Sequence, residues 1–578
     1  MTEKEALKRR IDAAAGREKA DLVLKNCRIV NVFTGTIEAG EIAVKDGVIV
    51  GAEAGYEGRE TIDGEGRFAA PGFIDAHIHI ESSFVSPEQE GRMLVPHGTA
   101  AIIADPHEIA NVCGLDGLRY MLEAAKGTKL NIFYAMPSCV PATPFENAGA
   151  KLDAKDMAEL LLDDRFCGLG EFMNMPGVVH AEDAVLDKLT LARGMGKIVD
   201  GHAPGMTGKE LNAYASVGIL GDHECRTADE IRERLAKGMY VLLRESSACH
   251  DLRELLKGVT EASSRRAMFC SDDRQPKTIF DEGHIDHHLR ICVGEGFDPV
   301  TAIRMATLNA AEAFRLYDRG AIAPGRRADI VLLDDLKDFH VHRVFIDGEL
   351  VAEEGRYLPE LTFADISTVR GSVNVRNFSA DRFKVKLAGN KVRVIGIHKG
   401  SIVTTREIAT VKTDGDGDFV FDPAQDVCKL AVVERHHGTG QVGVGLLGGY
   451  GIKAGAVAVS VSHDSHNIIV AGVSNEEMAA AVKALIAMEG GMVVVKGGEV
   501  LAAMALPIAG LMTTKSGEWV AERLHELHEK ARGTLGVSAD VEPIMTLAFM
   551  ALPVIPTLKL TDRGLFDYEK FDFVPLEV

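Results

Sequence analysis

The sequence lacks an excess of basic residues, paired cysteine motifs and a long apolar run. Lys and Arg number 64 against 85 Asp and Glu, and the net charge of −21 disfavours nucleic-acid and anionic-membrane partners. The nine cysteines are scattered without any Cys-x-x-Cys pair, which favours a reducing cytosol over a disulfide framework. The first residues are polar and unlike a secretory signal, and the most apolar late run, residues 544–558, is too short to span a bilayer. We therefore expect a cytoplasmic protein without nucleic-acid or membrane partners.

The length of 578 residues exceeds what one hydrophobic core can organise, so several domains are predicted. Short strands separated by glycine turns, including a hairpin signal at Asp46-Gly47, occupy residues 21–68 and return after residue 319. We predict a composite small β domain from residues 1–70 and 319–364, a central unit at 71–318 and a C-terminal α+β domain at 365–578. Strands of the last domain are expected near 382–388, 391–397 and 429–435.

The central unit alternates apolar strand-like segments with helical ones. Eight candidate strands lie near residues 72–80, 99–105, 129–139, 166–172, 197–203, 218–225, 239–246 and 267–273. Repeated β-then-α order implies right-handed crossovers and a parallel sheet. The periodicity alone also describes an open doubly wound sheet, but eight units in about 245 residues match a (β/α)₈ barrel. The predicted fold class is α/β, a TIM-type barrel with a flanking small β domain and a C-terminal α+β domain.

Polar side chains at the strand ends favour the barrel. Residues 71–81 read Pro-Gly-Phe-Ile-Asp-Ala-His-Ile-His-Ile-Glu, and strand alternation places the four ionisable side chains on one face. Burying them together is costly unless a cation such as Zn, Mn or Fe compensates. Further such residues end later strands, where barrel enzymes build their sites: Asp105, Glu171, His202, His223, Arg244, Glu245, Asp272 and Asp273. A single histidine at a strand end is more often structural. Chance is a poor explanation for ligand-type residues at the same end of so many strands.

The order of these residues resembles the amidohydrolase superfamily: His-x-His on strand one, a carboxylate on strand four, His on five and six, and Asp on eight. Within it, the chain resembles the bacterial adenine deaminase family. The motif at residues 71–83 and the segments at 105–112 and 200–205 carry this resemblance. Val-Ser-His-Asp-Ser-His-Asn at 461–467 and Leu-Pro-Ile-Ala-Gly-Leu-Met at 506–512 are more specific than His-x-His. The resemblance covers nearly the whole chain.

The resemblance implies a dinuclear divalent metal centre of Mn²⁺ or Fe²⁺, and the mixed nitrogen and oxygen ligands do not exclude Zn²⁺. It implies that His77 and His79 hold one metal and His202 and His223 the other. Glu171 would bridge the pair, Asp272 would bind the first metal and transfer protons, and Asp105 would be a ligand or a close neighbour. The implied reaction is hydrolytic deamination of adenine at C6, which yields hypoxanthine and ammonia for purine salvage. Glu171 and Asp272 would be the catalytic residues, and we expect a homo-oligomer, either a dimer or a tetramer.

Several assignments stay open. Glu81, Ser82, Arg244 and Glu245 are candidates for binding the purine, although an ordinary salt bridge or cap accounts for each equally well. His463 and His466 could cap a helix, reach the active site or bind a further metal. A cyclic-amide hydrolase of the dihydroorotase or hydantoinase kind would carry a carboxylated lysine where this chain has Glu171. A catalytically inactive scaffold could lose metal ligands freely, yet none of the expected set is missing.

Overall fold

The computed structural model describes residues 2–398, 401 and 403–578 and contains a barrel between two units built on sheets. The first unit begins with one helix and five strands. These are α1 (Glu3–Ala14), β1 (Ala20–Asn31), β2 (Thr36–Lys45), β3 (Val48–Gly51), β4 (Gly58–Asp63) and β5 (Phe68–Pro71). The hairpin between β2 and β3 turns at Asp46 and Gly47, which both adopt positive φ as a type I′ turn requires.

The barrel strands alternate with helices as the sequence predicts. The strands are β6 (Phe73–Ile78), β7 (Thr99–Ala104), β8 (Asn131–Met136), β9 (Phe166–Phe172), β10 (Ile198–Gly201), β11 (Gly221–Asp222), β12 (Tyr240–Arg244) and β13 (Ala267–Cys270). The helices are α2 (Pro87–Leu94), α3 (His107–Ala124), α4 (Ala154–Met157), α5 (Met175–Val179), α6 (Asp183–Gly194), α7 (Gly208–Ser216), α8 (Ala228–Ala236), α9 (Leu252–Leu256), α10 (Pro276–Glu282), α11 (Ile285–Gly294), α12 (Pro299–Met305) and α13 (Leu308–Ala313).

Parallel pairing joins these strands in chain order, β6 to β10 in one sheet and β11 to β13 in another. Backbone hydrogen bonds close the ring at the two remaining gaps. Leu220 donates its N–H to Val199 O at 2.8 Å between β10 and β11, and Asp272 donates to His77 O at 3.0 Å between β13 and β6. The eight-stranded barrel predicted from the sequence is therefore confirmed.

One sheet combines strands that precede the barrel in the chain with strands that follow it. The later strands are β14 (Ile330–Leu333), β15 (Val341–Ile346), β16 (Glu349–Glu353) and β17 (Arg356–Tyr357). Antiparallel pairing of β14 with β5 joins the two chain segments, in the order β17-β16-β15-β14-β5-β1-β2-β3 with β4 beside β1. This sheet supports the entry into the first barrel strand, because β5 runs directly into β6.

The C-terminal unit is built on an eight-stranded sheet in the order β19-β18-β23-β22-β25-β24-β26-β27. Its strands are β18 (Lys391–Ile397), β19 (Thr404–Thr410), β20 (Lys412–Thr413), β21 (Phe419–Val420), β22 (Val427–Val433), β23 (Val442–Gly448), β24 (Ala456–Val459), β25 (Ile468–Gly472), β26 (Gly491–Lys496), β27 (Glu499–Ala505), β28 (Leu558–Thr561), β29 (Gly564–Asp567) and β30 (Asp572–Phe573). Its α-helices are α14 (Asn475–Ala487), α15 (Gly517–Gly533) and α16 (Met545–Ala548).

The prediction of a strand at 382–388 was wrong. A short 3₁₀ turn occupies Ala380–Phe383, and Lys386 forms only an isolated bridge to Asp418. The Asp418 carboxylate accepts the Val385 N–H at 2.7 Å, so a side chain satisfies a backbone donor that a neighbouring strand would otherwise pair.

The barrel and the C-terminal unit share one hydrophobic core. The same buried cluster contains Ile102 and Leu243 of the barrel and Val457 and Leu560 of the C-terminal unit. Val85 and Thr513 also form a parallel bridge between the two parts. This packing brings the C-terminal unit against the barrel. Among the described residues, no helix has the length and apolar character needed to traverse a bilayer.

Candidate metal centre

Six of the residues predicted as metal ligands converge at the carboxyl ends of the barrel strands. Strand β6 carries His77, with His79 just beyond its end, and β9 carries Glu171. The remaining three follow β10, β11 and β13: His202, His223 and Asp272. All six are buried, with exposed fractions of 7% or less. The parallel strands end at one edge, so residues far apart in the chain meet there.

The first half of the centre surrounds His79. Its Nε2 lies 3.2 Å from His77 Nε2, 3.3 Å from Glu171 Oε1 and 3.2 Å from Asp272 Oδ1. If both of these facing imidazole nitrogens carried a proton, the two N–H groups would repel each other. A cation between them would accept both lone pairs, so this donor set fits a divalent metal.

The second half uses the other oxygen of Glu171. His202 Nδ1 lies 2.6 Å and His223 Nε2 lies 3.4 Å from Glu171 Oε2. The potential ligand groups His77–His79–Glu171 and Glu171–His202–His223 therefore share one carboxylate. A shared carboxylate is the geometry that a bridging ligand between two metals needs.

Neighbouring groups orient the histidines His77 and His79. His79 donates from Nδ1 to the backbone carbonyl of Asp105 at 2.9 Å, which leaves the lone pair of neutral His79 on Nε2, facing the centre. His77 Nδ1 faces Asp200 Oδ2 at 3.5 Å. The Asp105 carboxylate accepts the Glu171 N–H at 2.8 Å. Asp105 thus contacts the backbone of the shared carboxylate residue, as a close neighbour of the centre.

The pKa values reflect how closely these charges lie. Burial opposes the imidazolium form, yet the carboxylates of Asp272 and Glu171 raise the pKa of His79 well above its ordinary value. Burial likewise opposes ionisation of Glu171, but the hydrogen bond from His202 and its charge hold the pKa of that carboxyl well below its usual range. Against burial, Glu171 raises the pKa of His223 to about 10. A bound cation would replace these protons as the compensating positive charge.

The four purine-binding candidates occupy different places. Arg244 lines the cavity above the centre and donates from Nη1 to Asp272 Oδ2 at 2.8 Å. Ser82 donates to Asp273, whose carboxylate also lines the cavity. Glu81 lies beyond β6 and accepts the Ile109 N–H at 3.1 Å. Glu245 pairs with His250 Nδ1 at 2.8 Å, away from the cavity lining.

The expectation that all ionisable residues of 75–81 share one face was wrong. Asp75 is bound by Ser271 Oγ at 2.5 Å and by His284 Nε2 at 3.0 Å, away from the metal centre. The strand ends at Ile78, and Glu81 belongs to the 3₁₀ turn that follows. Strand alternation does not continue past the end of the strand, so it could not place Glu81.

Sequence reasoning missed part of the cavity wall. His107, inside the 105–112 motif, places Nδ1 at 3.5 Å from Glu171 Oε1 and Nε2 at 3.6 Å from Glu108 Oε1. The C-terminal unit contributes another wall, formed by Asp464, Phe549, Leu552, Val554 and Ile555 together with His463, for which the sequence had left a place at the active site open. His107 was recognisable from its place two residues after a strand-end aspartate, but no local signal placed the apolar residues at a site in another domain.

Two family models match the chain. The amidohydrolase family model matches residues 68–351, and the model of the adenine deaminase C-terminal domain matches residues 401–572. The chain is 58% identical to adenine deaminase 2 of Desulfotalea psychrophila, over 99% of this chain and 100% of that protein. It is 51% identical to the adenine deaminase of Ligilactobacillus salivarius, over the full length of both. Among solved structures, a beta-aspartyl dipeptidase of Fervidobacterium islandicum AW-1 aligns with a TM-score of 0.46 and 18% identity, over 59% of this chain and 100% of its own.

Proposed function

The chain belongs to the adenine deaminase family of amidohydrolases, and we propose that the six convergent residues at its barrel mouth carry out this reaction. The enzyme is a hydrolase that acts on a carbon–nitrogen bond, converting adenine and water to hypoxanthine and ammonia. The observation that supports the location is the sharing of Glu171 between two potential ligand groups, beneath a cavity that the adenine-deaminase-type domain helps to line.

The family implies a divalent metal, and the donor set supports a pair of them. His77, His79 and Asp272 would hold one ion, His202 and His223 the other, and Glu171 both, with Asp105 supporting Glu171 from its backbone side. Mn²⁺ or Fe²⁺ are the proposed ions, and Zn²⁺ is compatible with the same ligands. When bound, such ions lower the pKa of water and supply a nucleophile near neutral pH.

The protein residues move the protons. As water adds to C6 of adenine, the Asp272 carboxylate takes one proton of the water and delivers it to N1, and it then carries the second proton from the C6 hydroxyl to the departing amine. The C6–N6 bond then breaks, ammonia leaves, and the oxygen stays on C6 as hypoxanthine forms. Arg244 holds one oxygen of Asp272 and leaves the other facing the centre. The apolar residues of the C-terminal wall exclude water from the cavity, which strengthens these charge interactions.

The roles of the purine-binding candidates divide by their position. Arg244 is the candidate whose side chain lines the cavity. Ser82 acts through its hydrogen bond to Asp273, and Glu81 and Glu245 support neighbouring backbone. We further propose a cytoplasmic enzyme of purine salvage that forms a dimer or a tetramer, with the division into domains at 1–70 with 319–364, 71–318 and 365–578. The acidic composition and scattered cysteines support the compartment.

The test is to load purified protein with Mn²⁺, incubate it with adenine, and measure ammonia and hypoxanthine. Adenosine, hydantoin and dihydroorotate serve as alternative substrates under the same conditions. We expect stoichiometric ammonia and hypoxanthine from adenine alone. Comparable turnover of adenosine would reject the preference for the free base, and turnover of the cyclic amides without turnover of adenine would reject the proposed function.

A further inference from the structure

His463 reaches the barrel from the C-terminal unit. Its Nδ1 lies 2.6 Å from Glu108 Oε1, and its ring stacks on Phe549 with centroids 4.5 Å apart and an interplanar angle of 14°. The side chain is only 5% exposed, yet it lines the same cavity as Glu171 and Asp272. Among the described residues, Nε2 of this imidazole has no hydrogen-bond partner. A polar atom of a residue that lines the substrate cavity, with no protein partner, is therefore left for a ligand.

Glu108, His463 and His466 lie close enough to suggest a further metal site. The hydrogen bonding of His466 argues against it. His466 Nδ1 accepts the Ser462 N–H at 3.1 Å, so the lone pair of neutral His466 is on Nδ1 and its proton is on Nε2. That Nε2 is in close contact with Glu108 Oε2. A metal at this point would need a lone pair on both ring nitrogens, which only an imidazolate has.

Glu108 therefore positions His463. One of its oxygens contacts His466 and the other accepts from His463 Nδ1. Burial disfavours the cation, but the charge of Glu108 outweighs it and raises the pKa of His463 to about 9. Near neutral pH both ring nitrogens then carry protons, and Nε2 is a donor. Glu108 is also separated from Glu171 by the single ring of His107, which puts His463 near the metal centre.

We propose that His463 Nε2 donates a hydrogen bond to N7 of adenine and so positions the base for attack at C6. The inference rests on the proposed function. N1 and C6 must face Asp272 and the metal centre. The five-membered ring and N3 are therefore free to contact other residues of the cavity wall. In the predominant N9–H tautomer N7 carries an in-plane lone pair, and it is one carbon away from C6, whereas N3 lies across the ring. A donor close to the centre matches N7.

The experiment compares adenine with 7-deazaadenine and 3-deazaadenine, as substrates or as competitive inhibitors, in wild-type protein and His463→Ala. We expect the variant to lose roughly 10- to 100-fold in kcat/KM for adenine, the range for a hydrogen bond to a charged group. It should also lose the preference for adenine over 7-deazaadenine, while its preference over 3-deazaadenine stays at the wild-type value. The comparison of preferences cancels the change in ring reactivity that each analogue carries. The exposed His525 of α15, replaced by Ala, is the matched control and should behave as wild type.

Metal content and thermal unfolding are measured for every variant. His463→Gln is a second variant should His463→Ala fold poorly, and Glu108→Gln, which disturbs His463 through its Nδ1 partner, should lose part of the same preference. An unchanged preference over 7-deazaadenine in folded, metal-loaded variants overturns the proposal. Loss of the preference over 3-deazaadenine instead would overturn the assignment to N7. Wild-type protein inactive on adenine would refute the proposed function itself, and this inference with it.

Discussion

Arg244 donates from Nη1 to Asp272 Oδ2 at 2.8 Å, while the other oxygen of Asp272 lies 3.2 Å from His79 Nε2. The same Nη1 lies 2.7 Å from Glu224 Oε1, so one buried guanidinium joins two carboxylates. Burial favours the neutral carboxyl, but the hydrogen bond to His79 and the charge of Arg244 hold the pKa of Asp272 well below its usual range. The pairing therefore keeps Asp272 ionised and directs its free oxygen toward the centre.

Replacing Asp272 by Asn should reduce kcat by at least roughly 10²-fold, because the amide cannot accept the proton of the attacking water. The protein should still fold and retain much of its metal, since the histidines and Glu171 supply the other ligands. Asp273→Asn should be milder, because Asp273 accepts from Ser82. Steady-state rates on metal-loaded protein decide this. The reverse order of effects would move the assignment to Asp273, and two active variants would remove the proton-transfer role.

Replacing Arg244 by Met should lower kcat roughly 10- to 100-fold, because Asp272 loses a charge-assisted hydrogen bond that fixes its orientation. Two buried carboxylates would also be left without their cation, so the variant should unfold at a lower temperature. Kinetics and calorimetry measure the two effects. The control is Arg232→Met, which removes a surface pair with Asp229 and should change neither. Normal turnover by Arg244→Met would show that Asp272 needs no partner.

Replacing Glu171 by Gln should lower the metal content of the protein from about two equivalents per chain toward one or fewer. Both potential ligand groups use this carboxylate, and a neutral amide cannot bridge two cations equally well. Elemental analysis after loading with Mn²⁺ gives the stoichiometry, with the exposed Glu210→Gln as control. A single metal in fully loaded wild-type protein would contradict the dinuclear centre while leaving a hydrolase with one metal.

Replacing Glu90 by Gln should make the stability less dependent on pH. Burial raises the pKa of Glu90 to about 8, although the hydrogen bond from Ser83 opposes the shift. Between about 4.3, the unfolded value, and about 8, the folded state retains a proton that the unfolded state has lost. Stability therefore falls as pH rises through this window, by up to about 1.4 kcal/mol per pH unit.

Glutamine stays neutral, so the difference in melting temperature between Glu90→Gln and wild type should grow in favour of the variant from pH 5 to pH 8. Calorimetry across this range measures it, and the exposed Glu529→Gln should run parallel to wild type. Parallel curves for Glu90→Gln as well would mean that Glu90 is not held in its neutral form.

Much of the fold was predictable because it follows from local periodicity. The eight barrel strands are short apolar runs bounded by polar residues, and the predicted hairpin turn at Asp46-Gly47 uses residues that tolerate positive φ. The prediction of a strand at 382–388 failed because of a side-chain contact. Alternating apolar residues there satisfy the pattern of a strand, but the Asp418 side chain supplies the hydrogen bond to Val385.

The sequence by itself determined the barrel and the chemical types of its strand-end residues, because repeated β–α units bring those ends to one rim whatever the distance in the chain. Only the tertiary structure decided which of them face each other. Asp75 and Glu81 turn to other partners, and the two oxygens of Glu171 divide between two sets of histidines. Tertiary structure alone also brought His463 to Glu108, 355 residues away. That contact depends on the packing of one domain's core against another's, which no local pattern of residues specifies.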